Sequence, residues 1–158
     1  MKIARATLLA TLAWIGPAAA EKAHPTCDRI VQPETLAQHS HHPWRNGAPL
    51  WLRGDVAVCN YFQEEAPGGL SVSVREDPEG KDFRNMRELH AHDSEEAADS
   101  KDAFYFHVRT SEPFAPSWGM VVHVDHRTYQ VEGVPEADDA GAARKLAKEI
   151  VERSMQAF

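Results

Sequence analysis

Apolar and polar residues alternate most cleanly at Leu70-Ser71-Val72-Ser73-Val74-Arg75, the pattern of a strand with one wet face. Just before it, Val56-Ala57-Val58-Cys59-Asn60-Tyr61 is apolar at both parities. That predicts a strand covered on both sides, or one whose second face is covered only by whatever Cys59 ties down. Pro67-Gly68-Gly69 lies between the two, so they form a hairpin. A third strand follows at Ala103–Arg109, with Phe104, Phe106 and Val108 on one face. A fourth at Trp118–Val124 turns through Asp125-His126-Arg127 into a fifth, Thr128–Gly133, which points Tyr129 and Val131 inward.

Helical spacing occurs at three places. Pro33 and Glu34 suit the first turn of a short helix to His39. Phe83, Met86 and Leu89 predict a central helix over about Gly80–His90, with Ser94–Ala98 a further helical turn or loop. Ala143, Leu146, Ala147, Ile150, Val151 and Met155 form the apolar stripe of a C-terminal helix. Between Ser40 and Arg53, Pro43, Pro49 and Asn46-Gly47 exclude a long regular element, and Leu50-Trp51-Leu52 is the one short strand candidate. The order helix, two strands, helix, three strands, helix predicts an α+β fold. Its antiparallel sheet has about five strands, with a short N-terminal helix, a central helix and a C-terminal helix on one side.

The first twenty residues read differently. A basic Met1–Arg5 precedes apolar Leu8–Ile15, a Gly16-Pro17 break and Ala18-Ala19-Ala20. This is the layout of a secretory signal peptide, residues 1–20, cut before Glu21. The apolar run is too short for a membrane span, which needs about 20 residues. Cys27 follows His24-Pro25-Thr26, which lacks the small apolar residues of a lipid-attachment signal, so no membrane anchor is expected after cleavage. Residues 21–158 then form one exported domain, periplasmic or extracellular. Without Lys2 and Arg5 it carries 15 basic and 24 acidic residues, a net charge of −9, which argues against nucleic acid and anionic membrane surfaces. The two cysteines, Cys27 and Cys59, favour an intramolecular disulfide in an oxidising compartment; free thiols and intermolecular pairing are the alternatives.

Four short matches carry a family resemblance: Cys27-Asp28-Arg29-Ile30-Val31-Gln32-Pro33-Glu34, Cys59-Asn60-Tyr61, Asp102-Ala103-Phe104-Tyr105 and Leu146-Ala147-Lys148-Glu149-Ile150. In these the chain resembles small bacterial envelope domains, often lipoproteins, grouped as a domain of unknown function with a PsbP-like α/β sandwich. The resemblance implies the fold and the disulfide, and supplies no catalytic residue. The absent lipid-attachment box and the histidine-rich loop depart from that pattern.

Candidate chemistry is sparse. All nine histidines follow the leader, and His39, His41 and His42 cluster before a Trp-containing loop. Imidazoles suit zinc or copper, though no spaced metal motif is present, and solvated loop histidines are the plainer reading. His107 and His123 sit on strands and could meet if those strands pair. No Gly-x-Ser-x-Gly and no phosphate loop occurs. Trp44 and Trp51 are candidate binding anchors, against packing over the core beside the disulfide. The expected function is a non-catalytic exported domain, without cofactor, that binds an envelope protein or small ligand. Zinc or copper binding through the histidine loop is the alternative, and an unrecognised hydrolase the second.

Overall fold

The computed structural model describes residues 27–46, 49–52, 56–97, 100–109, 115–136 and 139–158, and of Asn46 and Leu50–Leu52 the backbone only. The expected leader, residues 1–20, lies outside the described residues. A 3-10 turn, Cys27–Arg29, leads into helix α1, Pro33–Ser40. Strands β1 (Trp44–Asn46), β2 (Leu50–Leu52), β3 (Val56–Gln63) and β4 (Gly69–Glu76) precede helix α2, Lys81–Leu89. Strands β5 (Ser94–Ala97), β6 (Ser100–Val108), β7 (Ser117–Val124) and β8 (Arg127–Pro135) lead to helix α3, Ala140–Ala157.

All eight described strands join one antiparallel sheet, ordered β1-β3-β4-β8-β7-β6-β5, with β2 beside β1 on the edge of β3. The sequence predicts about five strands. Strand β2 is the short candidate Leu50–Leu52, and the strands not expected are the edge pieces β1 and β5. Ser94-Glu95-Glu96-Ala97 has a single apolar residue and no alternation, so the free edge of β6 makes it a strand rather than its own pattern. The β7–β8 connection is as expected: a two-residue loop, Asp125 and His126, both with positive φ (50° and 63°), as a type I′ hairpin requires.

The helices do not share one side. Ala57, Cys59, Tyr61, Leu70, Val72, Val131 and Met120 pack with the stripe of α3 and with Ile30, Val31 and Leu36 at the N-terminus. Helix α2 covers the opposite face, where Phe83 packs with Phe104, Phe106 and Val121. The one-sided expectation fails because Phe104 and Phe106 alternate with Ala103 and Tyr105, so β6 has apolar residues at both parities and needs cover twice. Phe106 lies across Gly119 of β7, with His90 stacked on its ring at 4.0 Å. Burial there holds His90's proton affinity down, which favours the neutral imidazole. Helix α2 reaches this face only over the start of β8, at Thr128, and neither helix covers it around Asn60, Ser71, Ser73, Gln130 and Glu132, so that part of the sheet stays open.

Candidate functional site

The open end is positioned by the N-terminal segment. Cys27 and Cys59 form a disulfide across a Cα separation of 5.5 Å. Beside it, the Tyr61 hydroxyl donates to the Cys27 carbonyl at 2.5 Å. Burial pushes that phenol's pKa well up, so it stays a neutral donor. These ties set α1 against the sheet and bring Trp44 into the core.

Trp44 is 7% exposed, and its indole N–H donates to Ser40 Oγ at 2.6 Å. It is thus a packing residue whose edge borders a hollow, rather than a ring presented on a loop. Trp51 pairs through its backbone with Ala57, and its side chain lies outside what is described. Ser40 also donates to the His42 carbonyl, so this buried hydroxyl is committed to local structure. The three clustered histidines diverge. His39 Nε2 meets the Pro135 carbonyl at 2.8 Å, and His41 closes α1 in the left-handed region (φ 60°). His41 and His42 border a hollow of about 410 Å³ with Gln63 and Glu136. Among the described residues, no three His, Cys, Asp or Glu side chains converge as a metal site.

A cleft of about 330 Å³ opens where the β3–β4 hairpin parts from the end of β8; Trp44, Phe62, Gln63, Pro67 and Pro135 help to wall it. Asn60, Ser71 and Glu132 pass from this cleft into a second hollow over β3, β4 and β8, of about 360 Å³. Ser73, Arg75 and Gln130 pass from that into a third, about 200 Å³, closed by Asp82, Asn85 and Met86 of α2. The three make one trough along the open face. Strand pairing lines it up: Asn60 faces Ser71, Ser71 faces Glu132, and Ser73 faces Gln130. Because side chains alternate, these polar groups all point out of the same face. Arg75 pairs with Asp82 at 3.2 Å, and Gln130 donates to Glu132 at 3.3 Å. Phe62, half exposed, stands at the cleft end. Sequence reasoning missed this site. The wet positions of each strand were visible, but nothing local says that β4 and β8 are neighbours.

One cluster superficially resembles hydrolytic machinery. Asp77, Thr128 and His123 lie together beneath the start of α2. The Thr128 hydroxyl donates to Asp77 Oδ2 at 2.7 Å, and His123 Nδ1 meets Thr128 Oγ1 at 3.2 Å. A nucleophile needs an exposed oxygen that gives its proton to the imidazole. Here the hydroxyl is buried and its proton points to the carboxylate. Asp77 also accepts from the backbone N–H groups of Lys81 (2.7 Å) and Phe83 (3.1 Å), which closes the helix start. Burial alone would raise its pKa, but the four hydrogen bonds from Thr128, Phe83, Asp82 and Lys81 outweigh it and hold the carboxyl below its ordinary value. The cluster is a cap on α2.

The stability consequence has a definite sign. The folded chain binds the Asp77 proton less readily than the unfolded one, so the stabilisation is complete above about pH 4 and is lost as pH falls through the depressed value. Asp77→Ala is expected to cost about 2–3 kcal/mol at pH 7, since buried donors lose a charged acceptor. It also flattens the acid limb of stability against pH, as urea unfolding between about pH 2 and 7 would show. An unchanged acid limb would assign that limb to other carboxylates.

His107 and His123 do not meet. Strands β6 and β7 pair, but His107 lies opposite Trp118 and His123 lies with Phe83 on the other face. His107 instead sits 2.9 Å from Glu136 Oε2, off the axis of a good hydrogen bond, while the Trp118 indole donates to the same oxygen at 2.6 Å. Arg144 of α3 lies over Trp118, 5.0 Å from the ring centroid. This group pins the start of β7 to α3.

Fold and site together define a disulfide-pinned α+β domain with a helix on each sheet face and an open polar trough. No family model, characterised protein or solved structure matches the chain. Among the described residues, no helix is long and apolar enough to cross a membrane.

Proposed function

We propose that this is a non-catalytic exported domain that binds a protein or ligand partner of the cell envelope in the trough over β3, β4 and β8. The observation that carries the reading is continuity. Three hollows join into one lined surface, edged by an aromatic ring that the fold leaves half exposed. The leader pattern of residues 1–20 and the disulfide support export.

Two measurements test it. The intact mass of the exported protein is expected to begin at Glu21 with both cysteines oxidised; a retained leader or two free thiols would remove the export argument. Immobilised oxidised protein is expected to retain an envelope component that Ser73→Arg, which fills the middle of the trough, no longer retains at unchanged melting temperature. Equal retention by that variant overturns the trough as the binding site.

A further inference from the structure

The trough's chemistry narrows what it can take. Its backbone groups are already paired in the β3–β4 and β4–β8 ladders, so a peptide cannot add to this face as a strand. Recognition falls to side chains. These are the amides of Asn60 and Gln130, the hydroxyls of Ser71 and Ser73, and the carboxylate of Glu132. Amides and hydroxyls both donate and accept, which matches a ligand whose own hydroxyls do the same. The one guanidinium among the described residues of the trough, Arg75, is paired with Asp82, so its charge is already answered before an anionic ligand arrives. The whole chain, at net charge −7, opposes an anion as well. Glu132 alone is a poor site for a cation, and it is already an acceptor for Gln130.

One exposed apolar feature completes the surface. Val56 and Val58 share the same strand face but are nearly buried, at 8% exposed each, so they form floor rather than contact surface, and Phe62 continues their parity to the cleft. Phe62 is 49% exposed, an aromatic ring held at the mouth of a polar groove rather than folded into the core. Such a ring offers a flat apolar platform to a face of C–H groups, while the neighbouring amides take the ligand's polar edges.

We infer that the trough is a carbohydrate site that takes a neutral oligosaccharide, stacked on Phe62 and hydrogen-bonded by Asn60, Ser71, Ser73, Gln130 and Glu132. The assignment rests on the trough being a binding site, and specifies its ligand class.

The test uses purified oxidised protein and a neutral panel of cellohexaose, maltohexaose, xylohexaose and chitohexaose, followed by amide NMR and calorimetry. At least one is expected to bind with a Kd below about 1 mM, with shifts concentrated in β3, β4 and β8. Phe62→Ala and Gln130→Ala are each expected to weaken it about tenfold or more at unchanged melting temperature. Leu89→Ala, an exposed change on α2 away from the trough, should leave it unaltered. Absence of binding across the panel and a broad array of neutral glycans overturns the carbohydrate assignment, as does binding that Phe62→Ala and Gln130→Ala together leave intact. If the glycans are silent but Ser73→Arg still abolishes retention of an envelope component, the ligand class falls and the binding trough stands. If both are silent, both readings fall.

Discussion

Replacing Cys27 and Cys59 together by alanine is expected to lower the unfolding free energy by about 3–4 kcal/mol, on the chain-entropy model for a loop of this length. The bond spans 32 positions of sequence and joins the first described turn to the third strand. What it holds is a layer with little secondary structure of its own. Ile30, Val31 and Leu36 are almost wholly buried, yet they arrive on a 3-10 turn and an eight-residue helix. An isolated helix that short is unstable in water, so its order comes from docking. Freeing residue 27 therefore raises the entropy of the unfolded chain and leaves the Tyr61 hydrogen bond to the residue-27 carbonyl, with packing, to hold the turn in the folded one. Denaturant unfolding of the double variant, and of wild type with reductant, should agree. A loss below about 1 kcal/mol would mean that packing alone docks the N-terminal third. The trough reports on the same event, because the Trp44 wall of its cleft is set by this segment.

Gly133→Ala is expected to cost about 3–5 kcal/mol, from backbone strain and overpacking together. Gly133 has φ +91°, outside the range that L side chains adopt comfortably. A Cβ there would stand 2.1 Å from the Gly69 carbonyl oxygen, a backbone atom that cannot rotate away. The residue marks a change of register in β8: Met120 pairs with Val131, but Trp118 pairs with Val134. This one-residue bulge turns the end of β8 away from β4 and opens the cleft. The variant should lose stability in urea and also shift amide signals around Phe62 and Gln63. A stability change under about 1 kcal/mol would show that the β3–β4 hairpin yields more readily than a paired strand should.

Much of the fold is legible in residues only a few positions apart. The alternation at Leu70–Arg75, the aromatic parity of Phe104 and Phe106, and the 3.6-residue stripe of α3 are local signals, and each became the element it predicted. Both cysteines pair as composition suggested. The errors share a cause. Strands β1 and β5 are short edge pieces stabilised by a neighbour's free hydrogen bonds, and the position of α2 depends on which face of β6 remains uncovered. Trp44 shows the same limit at one residue. In the sequence it is an aromatic in a proline-rich loop, whereas in the fold Ser40 and the disulfide layer bring it inside.

By itself the chain determined periodicity, turn chemistry, leader pattern and charge, because each depends on residues within a few positions of one another. Only the tertiary structure decided strand order and sidedness. The β4–β8 pairing joins segments more than fifty residues apart, and it alone brings Ser71, Ser73, Gln130 and Glu132 onto one surface. That surface exists because α3 and α2 cover opposite faces but not equal lengths of the sheet. The polar residues at its open end are written in the sequence; that they form a single trough follows from long-range pairing, which local pattern does not encode.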